Sequence, residues 1–100
     1  MKKIIFHPEA EEEMLLSARY YESQAKGLGP KFLDEINTSL KKISRSPQTW
    51  PVISGKIRRY LIRRFPFGLL YEVYPDRIYI LAVMHLQRKP NYWTNRTKRR

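Results

Sequence analysis

Arginine is threaded between apolar and aromatic residues from Ile57 to Trp93, in the stretch IRRYLIRRFPFGLLYEVYPDRIYILAVMHLQRKPNYW. Arg58, Arg59, Arg63 and Arg64 stand near its start, and His85, Arg88, Lys89, Tyr92 and Trp93 near its end. A guanidinium fork pairs with two oxygens of a phosphate or a carboxylate. Aromatic side chains beside it add flat apolar area for a base or a protein surface. An arginine-dense sheet of this kind is a docking surface for a phosphate-bearing partner or an acidic protein.

The charge distribution points the same way. Residues 1–50 hold eight Lys/Arg against seven Asp/Glu, a net of +1, whereas residues 51–100 hold twelve against two (Glu72 and Asp76), a net of +10. Two carboxylates cannot match Arg58, Arg59, Arg63 and Arg64 together with the other cations of that half, so some are left for a partner. One hundred residues with 42% hydrophobic content suit a single globular domain. With no cysteine there is neither a disulfide framework nor a thiolate metal site, which fits a reducing cytosol. No apolar run approaches the roughly 18–20 residues of a membrane span, and the start MKKIIFHPEAEEE lacks a signal-peptide core, so a cytoplasmic protein without membrane contact is expected. Nothing calls for a cofactor or a metal: Gly27-Leu28-Gly29 lacks the GK[ST] of a phosphate loop.

The elements that must carry the arginines can be read in order. Lys2 to Phe6 is a short β-branched and aromatic run, a first strand ended by His7-Pro8. Ala10, Met14, Ala18, Tyr21 and Ala25 recur at helical steps, which predicts an amphipathic helix over residues 8–25. Glu9, Glu11, Glu12 and Glu13 lie at its positive end, and helix-start electrostatics accounts for them as a group. A Gly/Pro break leads to a second helix over 30–45, with Phe32 or Leu33, Ile36, Leu40 and Ile43 as its stripe. Residues 47–56 read as a loop, with Trp50 folding back on the edge of the core.

Three strands follow, over 57–64, 67–74 and 77–85, the last two joined by a Pro75-Asp76 turn. The strand over 57–64 has no clean apolar side, so which of its arginines face outward stays open. The strand over 77–85 is apolar on both sides (Ile78, Ile80, Ala82 and Met84; Tyr79, Leu81 and Val83), which suits a central position. The expected architecture is α+β, in the order β-α-α-β-β-β. A helical hairpin covers one face of a curved, mainly antiparallel four-stranded sheet and leaves the other partly open. Residues 1–93 form the domain, and the basic tail 94–100 has nothing apolar to bury and is expected to be mobile.

Taken in order, the following resemble the RelE/ParE superfamily of toxins from type II toxin–antitoxin (plasmid stabilisation) modules: the first strand, HPEAEEE opening a helix, GLGPKFLDEI opening a second, W-P, IRRYLIRRFPFGLLYEV, DRIYILAVMH, and His85-x-x-Arg88-x-Pro90-x-Tyr92-Trp93. The likeness runs over residues 3–93. It implies the fold just described, a bacterial or archaeal cytoplasm, and a cognate antitoxin that wraps the toxin in a hetero-oligomer and neutralises it.

The resemblance implies one of two activities. ParE-like members bind DNA gyrase and stall it on cleaved DNA, with no chemistry of their own. Here Arg58, Arg59, Arg63, Arg64, Arg88 and Lys89 would form the docking surface, with Tyr92 and Trp93 either an exposed aromatic anchor or packed back on the helices. RelE-like members are metal-independent endoribonucleases that cut messenger RNA on the ribosome by attack of the ribose 2′-hydroxyl. That reaction needs a base, a cation for the phosphorane and an acid. The candidates are His85, Arg63, Arg88 and Tyr92, with Arg59 as a further phosphate clamp. The ending His85 to Trp93 is nearer the ParE type, and arginines replace the lysine-rich active-site strand of the ribosome-dependent enzymes. A noncatalytic nucleic-acid-binding module also accounts for the charge.

Overall fold

A computed structural model describes residues 2–99. The elements are β1 (Lys3–Phe6), α1 (Pro8–Gln24), α2 (Leu28–Arg45), β2 (Val52–Ser54), β3 (Ile57–Leu61), β4 (Phe67–Val73), β5 (Arg77–His85) and a 3-10 helix, η1 (Thr94–Arg99). The sheet has five strands in the order β1-β5-β4-β3-β2. β1 lies parallel to β5 and the other pairs are antiparallel.

His7 starts α1: its Nδ1 accepts from the Glu9 amide at 3.0 Å, and Pro8 follows where a missing N–H does no harm. The turn into α2 is held by Glu22, whose carboxylate accepts from the amides of Gly27 and Gly29 at 3.1 and 3.0 Å. Those two amides hold the Glu22 carboxyl below its usual range. Gly29 also lets the helices approach, since a Cβ there would lie 2.8 Å from the Ala18 carbonyl oxygen. Phe32, Ile36 and Ile43 of α2 then pack with Tyr60, Phe67, Leu69, Tyr71, Ile78, Ile80 and Val83 into the main core between helices and sheet. Each such side chain contributes about 1.5–3 kcal/mol by leaving water, so this layer is what fixes the helical hairpin on the sheet.

The observed order matches the expected one with a fifth strand added inside 47–56. β2 is three exposed residues, which pair with β3 through an irregular register. Too short to carry an alternation, it was not visible as a strand in the sequence. The strand expected over 57–64 ends at Leu61, because the chain bends and Arg64 takes φ +70°. Tyr60 and Ile62 face the helices, which places Arg59 and Leu61 on the outer sheet face.

β5 departs from strict alternation. Leu70 pairs with Ala82 but Tyr71 pairs with Ile80, so Leu81 is a bulged residue. Leu81 and Ala82 both join a second cluster on the outer face, while Val83 joins Ile78 and Ile80 beneath the helices. Every position after the bulge is therefore on the side opposite to the one that plain alternation assigns.

Candidate functional site

β1 stops at Phe6 while β5 runs on to His85, so past Ile80 the edge of β5 away from β4 has no strand beside it. Side chains take the strand's place. The His7 amide donates to the Ile80 carbonyl at 2.9 Å. Glu13 Oε1 accepts from the Val83 amide at 3.0 Å, and Arg96 donates to the Leu81 carbonyl at 3.2 Å. Glu13 and Arg96 are themselves paired through two bonds of 2.9 and 2.8 Å, in the bidentate arrangement that suits guanidinium and carboxylate. The Tyr92 hydroxyl donates to Glu13 Oε2 at 2.7 Å, and Glu9 lies 3.2 Å from Arg96 Nε. Arg88 stacks over the Tyr92 ring at 3.9 Å and reaches to 3.8 Å from Glu13.

Burial makes this cluster tight. The Glu13 side chain is 14% exposed and that of Arg96 8%. Burial first, then the bond to Glu13, pushes the Tyr92 phenol far above its ordinary range. Burial opposes the charge on Arg96, but the bond and charge of Glu13 outweigh it and raise its pKa.

Two features of this cluster were not expected from the sequence. Glu13 is set apart from the helix-start acids: it lies one residue before Met14 and three after Ala10, on the border of the buried stripe, and that phase was the available signal. The tail from residue 94, which has nothing apolar to bury, forms η1 and inserts Arg96 at 7% exposure. An ion pair holds it where a sequence reading looks for an apolar contact.

Trp93 is 3% exposed and packs on the outer sheet face with Ile57, Leu70, Tyr79, Leu81 and Ala82. It is neither an exposed anchor nor packed on the helices. Tyr92 is half-buried, with its hydroxyl committed to Glu13.

His85, carried to the helix side by the bulge, lines an open cleft of about 380 Å³ between α1 and β5 with Leu16, Tyr20, Tyr21, Phe67 and Arg88. Its ring meets Phe67 edge-on at 5.0 Å, and its Nδ1 accepts from the Gln87 amide at 3.1 Å. That bond makes Nδ1 an acceptor.

The remaining predicted residues divide. Arg58 turns inward and donates to the carbonyls of Gln48 and Trp50 at 3.1 and 2.7 Å, which makes it a strut of the 47–56 segment. Arg59 lies on the outer face across Gly68, where a Cβ would come within 3.3 Å of its Cγ and Cδ. Arg63, Arg64 and Lys89 are exposed. Among the described residues, Arg59, Arg63 and Arg64 form no ion pair and no side-chain hydrogen bond. Arg88 and Tyr92 are thus gathered at Glu13, with His85 lining the same cleft as Glu13 and Arg88, whereas Arg63 lies in the bend after β3 and lines no part of that cleft. Among the described residues no group of His, Cys, Asp and Glu is arranged to hold a metal, and no helix is long and apolar enough to cross a membrane.

Comparison with known proteins places this geometry. A family described as the ParE toxin of the type II toxin–antitoxin system parDE matches residues 4–90. A solved structure, described as a chromosomal ParDE TA system from P. aeruginosa, superposes with a TM-score of 0.63 over 87% of this chain and 98% of its own, at 16% identity. At that identity the likeness is one of fold. No curated protein matches the chain.

Proposed function

The chain belongs to the ParE toxin family of type II toxin–antitoxin systems, and from that premise we propose that it arrests growth in the cytoplasm by binding DNA gyrase, without catalysing a reaction, until a cognate antitoxin neutralises it. The state of His85 carries the choice of binding over RNA cleavage. A general base needs a free lone pair at the atom that takes the proton. The Nδ1 lone pair of His85 is engaged by the Gln87 amide. Tyr92, the other proton-bearing candidate, donates to Glu13 and is held protonated by burial and that bond. Arg88 is stacked on Tyr92, and the carboxylate that lines the cleft with His85, Glu13, has its oxygens already engaged by Val83, Tyr92 and Arg96, which leaves the phenols of Tyr20 and Tyr21 as the other proton-bearing groups of the cleft. Outside the cleft, exposed Arg63, Arg64 and Lys89 offer cationic surface, which binds but does not transfer protons.

Induction of the protein alone is expected to stop growth, to accumulate gyrase–DNA cleavage complexes and to leave messenger RNA intact. His85→Ala should keep that activity. Ribosome-dependent cleavage of messenger RNA, abolished by His85→Ala and unaccompanied by gyrase complexes, would overturn this reading in favour of the nuclease.

A further inference from the structure

The outer face of the sheet is only half covered. The segment Tyr92–Thr97 lies over Ile57, Leu70, Tyr79, Leu81 and Ala82, with Trp93 as the wedge. At the other end of the same face, Leu61, Gly68 and Met84 form one row across β3, β4 and β5. Leu61 is 52% exposed, and Leu86, whose amide bonds to Pro66 just past the strands, is 43% exposed. Arg59, in the adjacent row opposite Leu70, lies flat along Gly68. The missing side chain at Gly68 thus makes the bed in which the arginine stem rests, and Arg59 Nε is buried there. Arg63 and Arg64, both exposed, follow in the bend after β3.

Three facts identify what fits this surface. Its centre is aliphatic, and a protein side chain can bury against it. Its rim is arginine with no carboxylate partner among the described residues, so it complements negative charge. And it offers no stacking platform: Trp93 is buried, Tyr92 is tied to Glu13, and Phe65 packs on Tyr21 and Phe32 at 4.8 and 5.2 Å. A single-stranded nucleic acid site combines cations with exposed aromatic faces; this patch has only the cations.

We propose that Arg59, Leu61, Gly68, Met84 and Leu86, at the uncovered end of the outer sheet face, dock an acidic protein surface that presents apolar anchors and belongs to the toxin's target. The proposal rests on the reading of the chain as a toxin that acts by binding a protein. Leu61 is the apolar centre and Arg59 the charge that fixes orientation.

The test uses the full chain with Leu61→Glu, Arg59→Ala and, as control, Val52→Glu, whose parent residue is similarly exposed at 50% but stands on β2 opposite Arg58, outside the row of Leu61, Gly68 and Met84. Thermal unfolding checks that each variant folds. Gyrase inhibition, antitoxin binding, DNA binding and growth arrest are then measured. Loss of a central anchor corresponds to about 2 kcal/mol or more, hence roughly a 30-fold or larger rise in the concentration that inhibits gyrase. That rise is expected for Leu61→Glu, a smaller rise for Arg59→Ala, and none for Val52→Glu, with antitoxin binding kept by all three.

Inhibition by Leu61→Glu within about threefold of the unmodified chain would overturn the surface and leave the gyrase reading standing, the change being well under the anchor value. Growth arrest without gyrase inhibition, abolished by Leu61→Glu, would overturn the gyrase reading and uphold the surface for another protein target. Loss of antitoxin binding alone, or of salt-sensitive DNA binding alone, would assign the patch to that occupant and overturn the proposal. A chain that does not arrest growth at all would overturn both.

Discussion

Replacing Glu13 by alanine removes one carboxylate and strands four donors. The Val83 amide, the Tyr92 hydroxyl and both terminal nitrogens of Arg96 lose an acceptor at 2.7–3.0 Å. Arg96 keeps the Leu81 carbonyl and, as its one remaining carboxylate, Glu9 at 3.2 Å; Glu9 is 56% exposed, so the charge of the buried guanidinium is left largely uncompensated. Removing one partner of a buried ion pair costs about 3–5 kcal/mol. Glu13 is not wholly enclosed, and water can reach part of the vacated space, so the lower end applies. Even about 3 kcal/mol is a large share of the 5–15 kcal/mol that holds a typical domain together. At about 4–8 °C per kcal/mol for a chain of this size, the thermal midpoint should fall by at least about 12 °C.

Glu13→Gln keeps the volume and one carbonyl acceptor but loses the charge, and about half the effect should remain, since bonds to charged groups are worth about 1.5–3 kcal/mol each. The decisive assay is a double-mutant cycle with Arg96→Met, followed by urea unfolding. Removing both partners also removes the uncompensated charge, so the pair should be coupled by at least about 1.5 kcal/mol. A loss below about 1 kcal/mol for Glu13→Ala, or additivity within about 0.5 kcal/mol, would show that Glu13 does not anchor the C-terminal segment. Hydrogen exchange at the Val83 amide, faster in both Glu13 variants, would report the same release locally.

Gly29→Ala puts a Cβ 2.8 Å from the Ala18 carbonyl oxygen, a backbone atom that cannot swing aside, so the helices must separate. A loss of about 1–3 kcal/mol is expected in denaturant unfolding, the usual range for overpacking. Burial raises the Tyr71 phenol from 10.0 to about 12, against the opposing pull of Arg58. A raised folded value means stability that is fully present below pH 10.0 and is lost as pH rises from there toward about 12. Tyr71→Phe loses the bond to the Pro47 carbonyl at 2.7 Å, so it should be about 1 kcal/mol less stable at pH 7. The gap to the parent chain should close above pH 10 when urea midpoints are compared.

The elements and their order were legible in the sequence because their signals are local. Proline and acidic residues open α1, Phe32, Ile36 and Ile43 recur at helical steps in α2, and the turn at Pro75-Asp76 separates two runs of strand-forming residues. The segregation of charge was equally plain, since it needs only counting. The site was legible only in part. Arg88 and Tyr92, two of the residues singled out from the sequence, meet at a carboxylate that comes from Glu13, seventy-nine positions before Tyr92, and the cation that seals it comes from the tail.

What only the tertiary structure decided follows from one extra residue and one short strand. The bulge at Leu81 reverses the facing of β5, which sends Val83 and His85 toward α1 and keeps Ala82 on the outer face. Because β1 ends four residues into its pairing with β5, the rest of that edge must find partners among side chains, and Glu13 and Arg96 supply them. A period of two written into a sequence cannot reveal where a register slips, and buried polar atoms cannot reveal their partners until the fold brings distant residues together.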